Sequence, residues 1–234
     1  MAAKLILLPG LDGTGLLFEE FLAELPDDIQ SRTVTYPIDD SLSRKELVSY
    51  IRSRLPDTAQ LVLLGESFSG PFALQVAAED MRVSGVILVA SFVTKPIRFL
   101  PKVVSRLVRP FLFRRPPRFL LRKALLSEDA PPKLVTDLER ALRSVSPKVL
   151  AGRVIQVFEM DAREALLATR VPILHIVGSD DRLVRAHAVE EITSLKPGVI
   201  RRTLPAPHLV LQVAAKRAAS EVAEFVRNCP VRES

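Results

Sequence analysis

Cysteine is nearly absent from this chain, with Cys229 the only one among 234 residues. A lone cysteine excludes a disulfide framework and is compatible with a reducing compartment. The chain also has no CxxC or HExxH pattern, and its three histidines are far apart in sequence. These absences predict no dedicated metal site, because a metal needs several ligands at suitable spacing.

Long hydrophobic runs are also missing. No stretch reaches the roughly 18 to 20 apolar residues that span a bilayer. The apolar run within residues 1–10 is too short for the core of a signal peptide and favours a buried strand that ends at Pro9-Gly10. We therefore expect a cytoplasmic protein.

What the chain does have is a regular alternation of short apolar runs with longer segments of helical period. Continuous apolar strands of this kind are typical of a parallel sheet covered by helices on both faces. The sequence predicts an α/β fold with a doubly wound, mostly parallel sheet of about six strands. Strands are predicted near residues 3–8, 31–36, 60–65, 83–89, 172–177 and 198–203, and helices near 15–25, 43–54, 70–79, 186–195 and 210–228.

The alternation stops between residues 93 and 165, where no strand is evident, prolines cluster and the pattern becomes helical. We expect this segment to be a helical cap inserted in a core made of residues 1–92 and 166–234. Residues 95–123 contain no acidic residue and ten basic ones: Lys95, Arg98, Lys102, Arg106, Arg109, Arg114, Arg115, Arg118, Arg122 and Lys123.

Three interpretations of this basic stretch are open. Its charges alternate with apolar residues from Ile97 to Phe113, as in an amphipathic lid with its apolar side over an active site. An acidic protein partner, such as an acyl carrier, and an anionic membrane surface are the other two. Nucleic acid is not expected, because no recognition motif is present and the aromatic residues suit packing.

A candidate nucleophile lies in Gly65-Glu-Ser-Phe-Ser-Gly70, between an apolar strand and a helical segment. Hydrolases hold a serine at such a strand-to-helix turn, with small residues two positions before and after it. Ser67 is the nucleophile predicted here. Ser69 replaces the last glycine of the usual G-x-S-x-G pattern, and this requires Ser69 to accept the strained backbone of the turn.

A nucleophilic serine needs a base and a group that orients the base. Of the three histidines, His175 lies inside a strand and His187 starts a helix, whereas His208 lies in a loop after the last strand. Loops that follow parallel strands meet at one edge of the sheet, so His208 and Ser67 are expected there together. The turn after residue 177 offers the third group: Asp181 is preferred, and Asp180 remains an alternative.

Stabilisation of an oxyanion requires backbone N–H donors close to the nucleophile. The glycine-rich loop from Pro9 to Gly15 offers the amide of Leu11, and the turn after Ser67 offers the amide of Phe68. Phosphate binding by this loop is not predicted, because neither GK[ST] nor GxGxxG is present.

In the order LLPGLDGTG, GESFSG, GSDDRLV and APH, these motifs resemble those of the α/β-hydrolase superfamily over essentially the full chain. The chain looks most similar to small carboxylesterases, including pimeloyl-carrier-protein methyl ester esterases. Pro9-Gly10 replaces the His-Gly of many members, and the antiparallel N-terminal strand pair is missing, so the fold would be minimal. The resemblance implies Ser67, Asp181 and His208 as the catalytic triad and Leu11 with Phe68 as the oxyanion hole.

The resemblance also implies the activity, which is hydrolysis of a small-molecule carboxylic ester through an acyl-enzyme, without a cofactor. The apolar cap favours short or medium acyl chains. Two enzymatic alternatives use the same triad: an acyltransferase, and an esterase acting on an acyl group bound to a carrier protein. A non-catalytic ligand-binding member of the fold is a further alternative, since fold does not fix function.

Overall fold

The computed structural model of the protein describes residues 3–57, 60–96, 107–114, 118–127 and 130–230. Within the helix that begins at Arg118, the side chains of residues 118, 120, 121 and 123 also lie outside the description. Part of the predicted basic segment is therefore not described, either wholly or in its side chains: Arg98, Lys102, Arg106, Arg115, Arg118 and Lys123.

The sheet has six strands in the described chain, and all pairs are parallel. Each strand lies where the apolar runs predict one. The second strand is shorter than predicted. The Val34 amide still donates to the Leu7 carbonyl of β1, but the Tyr36 amide donates to the Gly13 carbonyl in the loop after β1. The strands are β1 (Lys4–Leu8), β2 (Ser31–Thr33), β3 (Leu61–Glu66), β4 (Val83–Val89), β5 (Ile173–Gly178) and β6 (Ile200–Leu204).

The strand order is β2-β1-β3-β4-β5-β6. From β1 the chain moves outward to β2 and then returns to the other side of β1 to form β3. This reversal makes a crevice between the carboxyl ends of β1 and β3, and ligands of open parallel sheets bind in such a crevice. The loop at Pro9 and the turn at Ser67 follow these two strands directly, so the topology places both at that crevice.

Helices cover both faces of the sheet. Along β1, Ile6 and Leu8 face one cluster, which includes Ile51, Phe72 and Ile192 from three helices. The helices of the described chain are α1 (Glu19–Ala23), α2 (Arg44–Arg54), α3 (Gly70–Glu79), α4 (Arg118–Leu125), α5 (Pro132–Arg143), α6 (Pro147–Phe158), α7 (Arg163–Ala168), α8 (Ala186–Leu195), α9 (Val210–Val213) and α10 (Ala215–Asn228).

The opposite face is covered by α1, α9 and α10. Leu5 and Leu7 of β1 pack there, with Phe21 from α1 and Val222 and Phe225 from α10. Alternate residues of one strand thus enter opposite cores, as the period of two in a strand requires. The fold is a doubly wound parallel sheet, as the sequence predicts.

Two predicted helices differ from the structure. The helix expected near 15–25 begins as a 3-10 turn over Leu16–Phe18 before α1 starts. The helix expected over 210–228 divides into α9 and α10, because Ala214 between them has a non-helical backbone (φ −112°, ψ 36°). Apolar periodicity runs through this break, so the pattern alone does not reveal it.

Residues 93–165, between β4 and β5, are called the β4–β5 insertion. Its described part contains a 3-10 turn at Pro110–Phe113 and helices α4, α5 and α6. Pro132 and Pro147 are the first residues of α5 and α6, positions where a missing N–H costs no helical hydrogen bond.

The two ends of the insertion meet beside the sheet, where the Ala162 amide donates to the Val93 carbonyl at 2.7 Å. The predicted boundary after residue 165 falls inside α7. Leu166 of that helix is fully buried in the same core cluster as Phe72. In the described chain, no helix is long and apolar enough to cross a membrane.

Candidate active site

The turn at Ser67 has the geometry that its small residues predict. Ser67 has a positive φ of 48°, which few residues other than glycine adopt. A Cβ added to Gly65 would lie 2.7 Å from the Ser69 carbonyl oxygen, and one added to Gly70 would lie 1.9 Å from Ser91 Oγ. Glycine is therefore required at both positions, and the turn directs Ser67 out of the end of β3.

Ser69 does not carry the backbone strain expected of it. Its φ of −85° and ψ of −12° are ordinary helical values, and the strained residue is Ser67 itself. The Ser69 side chain is buried, its hydroxyl donates to the Pro9 carbonyl, and Tyr36 Oη lies 2.6 Å from Ser69 Oγ. The serine that replaces a glycine in the motif thus joins the nucleophile turn to the loop after β1.

Ser67, His208 and Asp181 form a continuous hydrogen-bonded chain. His208 Nε2 lies 2.9 Å from Ser67 Oγ, and His208 Nδ1 lies 2.8 Å from Asp181 Oδ2. The His208 side chain is 4% exposed and that of Asp181 3%. When Nδ1 donates to the carboxylate, Nε2 is left without a proton and accepts one from the serine hydroxyl.

Asp181, rather than Asp180, contacts His208. The second oxygen of Asp181, Oδ1, accepts hydrogen bonds from the amides of Leu183 and Val184 at 2.8 and 2.9 Å. These bonds fix the carboxylate relative to the backbone and leave Oδ2 for the histidine. Asp180 is exposed, and its Oδ2 accepts from the Ser179 hydroxyl.

Leu11 and Phe68 both line the cavity at Ser67. Phe68 is in the first turn of the helical segment that starts at Ser67, where amides have no intrahelical acceptor. In the described part of the chain, the Leu11 amide has no hydrogen-bond acceptor either. Both residues thus carry a backbone donor with no acceptor among the described residues.

The cavity has a volume of about 280 Å³ and is almost entirely apolar. Its polar side chains all belong to the core, and they are those of Asp12, Glu66, Ser67 and His208. The β4–β5 insertion supplies much of the apolar wall: Phe113, Leu125, Leu138, Leu142, Leu150, Val154, Val157 and Phe158.

Glu66, directly before the nucleophile, is a buried acid that the motifs of the sequence do not predict. Gln212 Nε2 donates to its Oε1 at 3.0 Å, and the Gly10 amide also donates to this carboxyl group. Burial raises the pKa of Glu66 to about 7. The feature of the sequence that could have indicated this buried acid is an acidic residue at the end of an otherwise apolar strand.

The two other histidines do not join the site. His175 is fully buried in β5, where burial lowers its pKa to about 4 and keeps it neutral. His187 is in α8 and lines a separate polar depression together with Thr94, Arg163 and Glu191. No group of three or more potential metal ligands exists among the described residues.

Comparisons with known proteins agree on the family and the fold. The sequence profile of the alpha/beta hydrolase family matches residues 5–224. A thermophilic esterase from Thermogutta terrifontis has a TM-score of 0.81 at 20% identity, with 98% of this chain and 91% of that chain covered. A structure of carboxylesterases from Nitrososphaera gargenis gives 0.77 at 18% identity, with coverage of 96% and 90%.

A bromoperoxidase from Bacillus anthracis is equally similar in shape, with a TM-score of 0.82 at 15% identity and coverage of 97% and 93%. No protein of curated function matches. Because all three identities are low, these structures establish a shared fold and leave the reaction open.

Proposed function

The chain belongs to the α/β-hydrolase family, and on that premise we propose that it is a serine hydrolase that cleaves carboxylic esters through an acyl-enzyme on Ser67. The observation that carries the proposal is the continuous contact of Ser67, His208 and Asp181 at the apolar cavity. The neighbours described as an esterase and as carboxylesterases support the choice of an ester.

In the proposed reaction, Ser67 Oγ attacks the ester carbonyl carbon while His208 Nε2 accepts the serine proton. The resulting oxyanion accepts hydrogen bonds from the amides of Leu11 and Phe68. When this intermediate collapses, the bond to the alcohol oxygen breaks and His208 returns its proton to the leaving alcohol. A water molecule, deprotonated by His208, then attacks the acyl-enzyme and releases the acid.

The mechanism requires an unprotonated His208. We therefore expect activity to fall as the medium is made acidic. A rate that does not fall in acid while the protein stays folded would contradict a histidine base.

The cavity supports a short or medium acyl chain as substrate. Its lining is apolar wherever it is distant from the triad, so burial of methylene groups stabilises the complex by about 0.8 kcal/mol each. Because the insertion closes over the site with side chains such as Leu138 and Val154, chain length is limited by the cavity wall.

The test is release of p-nitrophenol from acyl esters of increasing chain length, with wild type beside Ser67→Ala. We expect an optimum at short or medium chains and loss of activity in the variant. Exposed Ser179→Ala is the matched control and retains activity. If a folded wild type hydrolyses none of the esters and is not labelled by a fluorophosphonate, the proposal fails.

An acyl-enzyme that forms but is discharged only by an added alcohol or thiol would instead establish an acyltransferase. Labelling without turnover of any free ester, together with turnover of an acyl group on a carrier protein, would establish the carrier-dependent alternative. These outcomes share the Ser67 nucleophile and differ in the acceptor or in the form of the substrate.

We also propose that the β4–β5 insertion docks on an anionic membrane surface. In an amphipathic lid the apolar residues would face the cavity, and Phe113 does line it. Leu107, Phe111 and Leu112, however, are half to two-thirds exposed. Large apolar side chains in a basic stretch without acidic residues suit a lipid surface with negative charge.

A further inference from the structure

Arg153 is a buried cation on α6 of the β4–β5 insertion, and its side chain enters the core. The residue is 5% exposed. Its Nη1 donates to the carbonyl oxygens of Leu11 and Asp12 at 2.8 and 2.6 Å, and its Nη2 donates to the Pro37 carbonyl at 2.8 Å. A buried charge is costly unless it is paired or hydrogen-bonded. Here the described partners are backbone carbonyls, and two of them belong to the loop after β1.

The loop conformation depends on that side chain. Gly13 has a φ of 71°, and a Cβ at this position would lie 2.5 Å from Arg153 Nη1. The Gly13 amide donates to the Gly10 carbonyl at 3.0 Å, and the Gly13 carbonyl accepts from the Tyr36 amide at 2.8 Å. The segment from residue 10 to 13 is therefore a closed turn, with the guanidinium packed into the space that glycine leaves.

This arrangement fixes the direction of the Leu11 amide. In a trans peptide the C=O and N–H of one unit point in opposite directions. The Gly10 carbonyl is held by Gly13, so the Leu11 N–H of the same peptide unit points away from the turn. The Leu11 and Asp12 carbonyls, held by Arg153, fix the following two peptide units in the same way.

A second path connects the guanidinium with the nucleophile turn. The Arg153 Cζ atom lies 5.6 Å from the centre of the Tyr36 ring, within the range of a cation–π contact. Tyr36 Oη pairs with Ser69 Oγ, and Ser69 donates to Pro9. Arg153 thus contacts the loop after β1 directly and reaches the turn of Ser67 through one tyrosine.

We infer that Arg153 is a positioning residue that holds the Leu11 amide in place to bind the oxyanion, so that the insertion completes the catalytic apparatus of the core. The inference rests on the proposed acyl transfer at Ser67. Arg153 contacts no reacting atom and acts through the loop. Without it, the carbonyls of Leu11, Asp12 and Pro37 lose this donor and the turn relaxes. Misplacement of a catalytic group by about 1 Å costs about 10²-fold in rate.

The test compares Arg153→Met and Arg153→Lys with Lys148→Met, an exposed cation on the same helix. Methionine keeps much of the buried volume and removes the donors. We expect kcat to fall by about 10²-fold with Arg153→Met and about 10-fold with Arg153→Lys, each with KM changed by less than about threefold. Lys148→Met is expected to match the wild type.

Two further measurements distinguish positioning of the Leu11 amide from a purely structural role of Arg153. Affinity for an alkyl boronic acid, whose tetrahedral adduct on Ser67 places an oxygen in the oxyanion hole, should fall in parallel with kcat. Amide hydrogen exchange across residues 10–14 should accelerate in both Arg153 variants and not in Lys148→Met. If Arg153→Met folds and keeps kcat, boronate affinity and exchange at wild-type values, the inference is wrong.

Should Arg153→Met fail to fold, Arg153→Lys decides by the same three measurements. Failure of the proposed function is separately recognisable. In that case the wild type itself would not be labelled by a fluorophosphonate. Failure of the inference alone leaves the wild type labelled and active and the variants indistinguishable from it.

Discussion

The sheet core and the β4–β5 insertion contribute to the cavity in different ways. Ser67, Asp181 and His208 are all in the core. Each is on a segment that follows a strand, at the edge of the sheet where the carboxyl ends of the strands meet. The insertion supplies much of the apolar cavity wall, and its Arg153 side chain contacts the core backbone. Reactive groups are thus positioned by strand topology, whereas the fit to a substrate depends on contacts between segments far apart in sequence.

The packing of the two regions differs as well. The core has large clusters on both faces of the sheet. The insertion has a small cluster of its own around Leu134 and Leu138, joined to the core through Leu17 and Leu209. Changes in the apolar wall residues of the insertion are therefore expected to alter substrate preference more than stability. Changes to the triad at the carboxyl ends of the core strands are expected to abolish the chemistry.

The largest effect is expected from substitution of Asp181, and the adjacent Asp180 provides the control. Asp181→Asn should lower kcat by about 10⁴-fold, because the amide no longer holds the histidine tautomer that leaves Nε2 unprotonated. Asp180→Asn, one residue away and exposed, should change kcat by less than about twofold. Steady-state ester hydrolysis at neutral pH measures both. Equal losses in the two variants would refute the orientation of His208 by Asp181.

A substitution in the insertion should change selectivity instead. Val154→Phe puts a larger side chain in the cavity wall and so shortens the space for an acyl chain. The kcat/KM for the longest ester that the wild type accepts should therefore fall by about 10-fold or more, whereas that for the acetyl ester should hardly change. Ile155→Phe is the control, since Ile155 is on the same helix and does not line the cavity. A uniform loss across all chain lengths would show that the wall does not select by length.

Glu66 offers a test in the core that does not involve turnover. Its pKa is raised from an ordinary 4.5 to about 7, so the folded protein retains a proton that the unfolded chain loses. The associated stability is fully present below about pH 4.5 and is lost as the pH rises through about 7. At pH 7 the loss amounts to about 3 kcal/mol.

Glu66→Gln has no such titration. We expect the melting temperature of the variant to gain about 5 °C relative to wild type between about pH 5 and 8, as measured by thermal unfolding. Glu190→Gln, at an exposed position, should show no pH-dependent difference. A constant difference for Glu66→Gln across this range would mean that Glu66 is ionised throughout.

The smallest effect on soluble substrates is expected at the exposed face of the insertion. The double variant Phe111→Ser with Leu112→Ser should keep the wild-type rate on soluble esters, because neither side chain lines the cavity. Its partition onto phosphatidylglycerol-containing vesicles should fall about 10-fold or more. Met81→Ser, an exposed apolar residue of the core, is the control.

Sedimentation with vesicles, at low and high salt, measures the partition. Unchanged vesicle binding by the double variant would contradict docking through these side chains. Binding to an acidic acyl carrier protein and not to vesicles would favour the other electrostatic interpretation of the basic stretch.

The strands and the residues that follow them were predictable, because each apolar run is local and parallel strands share one edge. This was enough to bring Ser67 and His208 together from positions 141 residues apart. It did not distinguish Asp180 from Asp181, since that choice depends on the turn in which the amides of Leu183 and Val184 bind one carboxylate.

Arg153 and Glu66 were not predictable in the same way. Arg153 contacts Leu11 across 142 residues, and nothing local separates a buried arginine on an amphipathic helix from an exposed one. Glu66 occupies a position in the motif that any residue can fill, and its burial follows from packing against Gln212. Contacts between distant segments, rather than periodicity, determine both.

The strand order also bears on how the protein is made. With β2 at one edge, strands β3, β4, β5 and β6 join the sheet one after another at the other edge, in the order in which a ribosome releases them. His208 follows the last strand, so a nascent chain contains Ser67 long before it contains its base. Ester hydrolysis by newly synthesised protein would then begin only when the final strand has joined the sheet, and its onset would time the completion of folding.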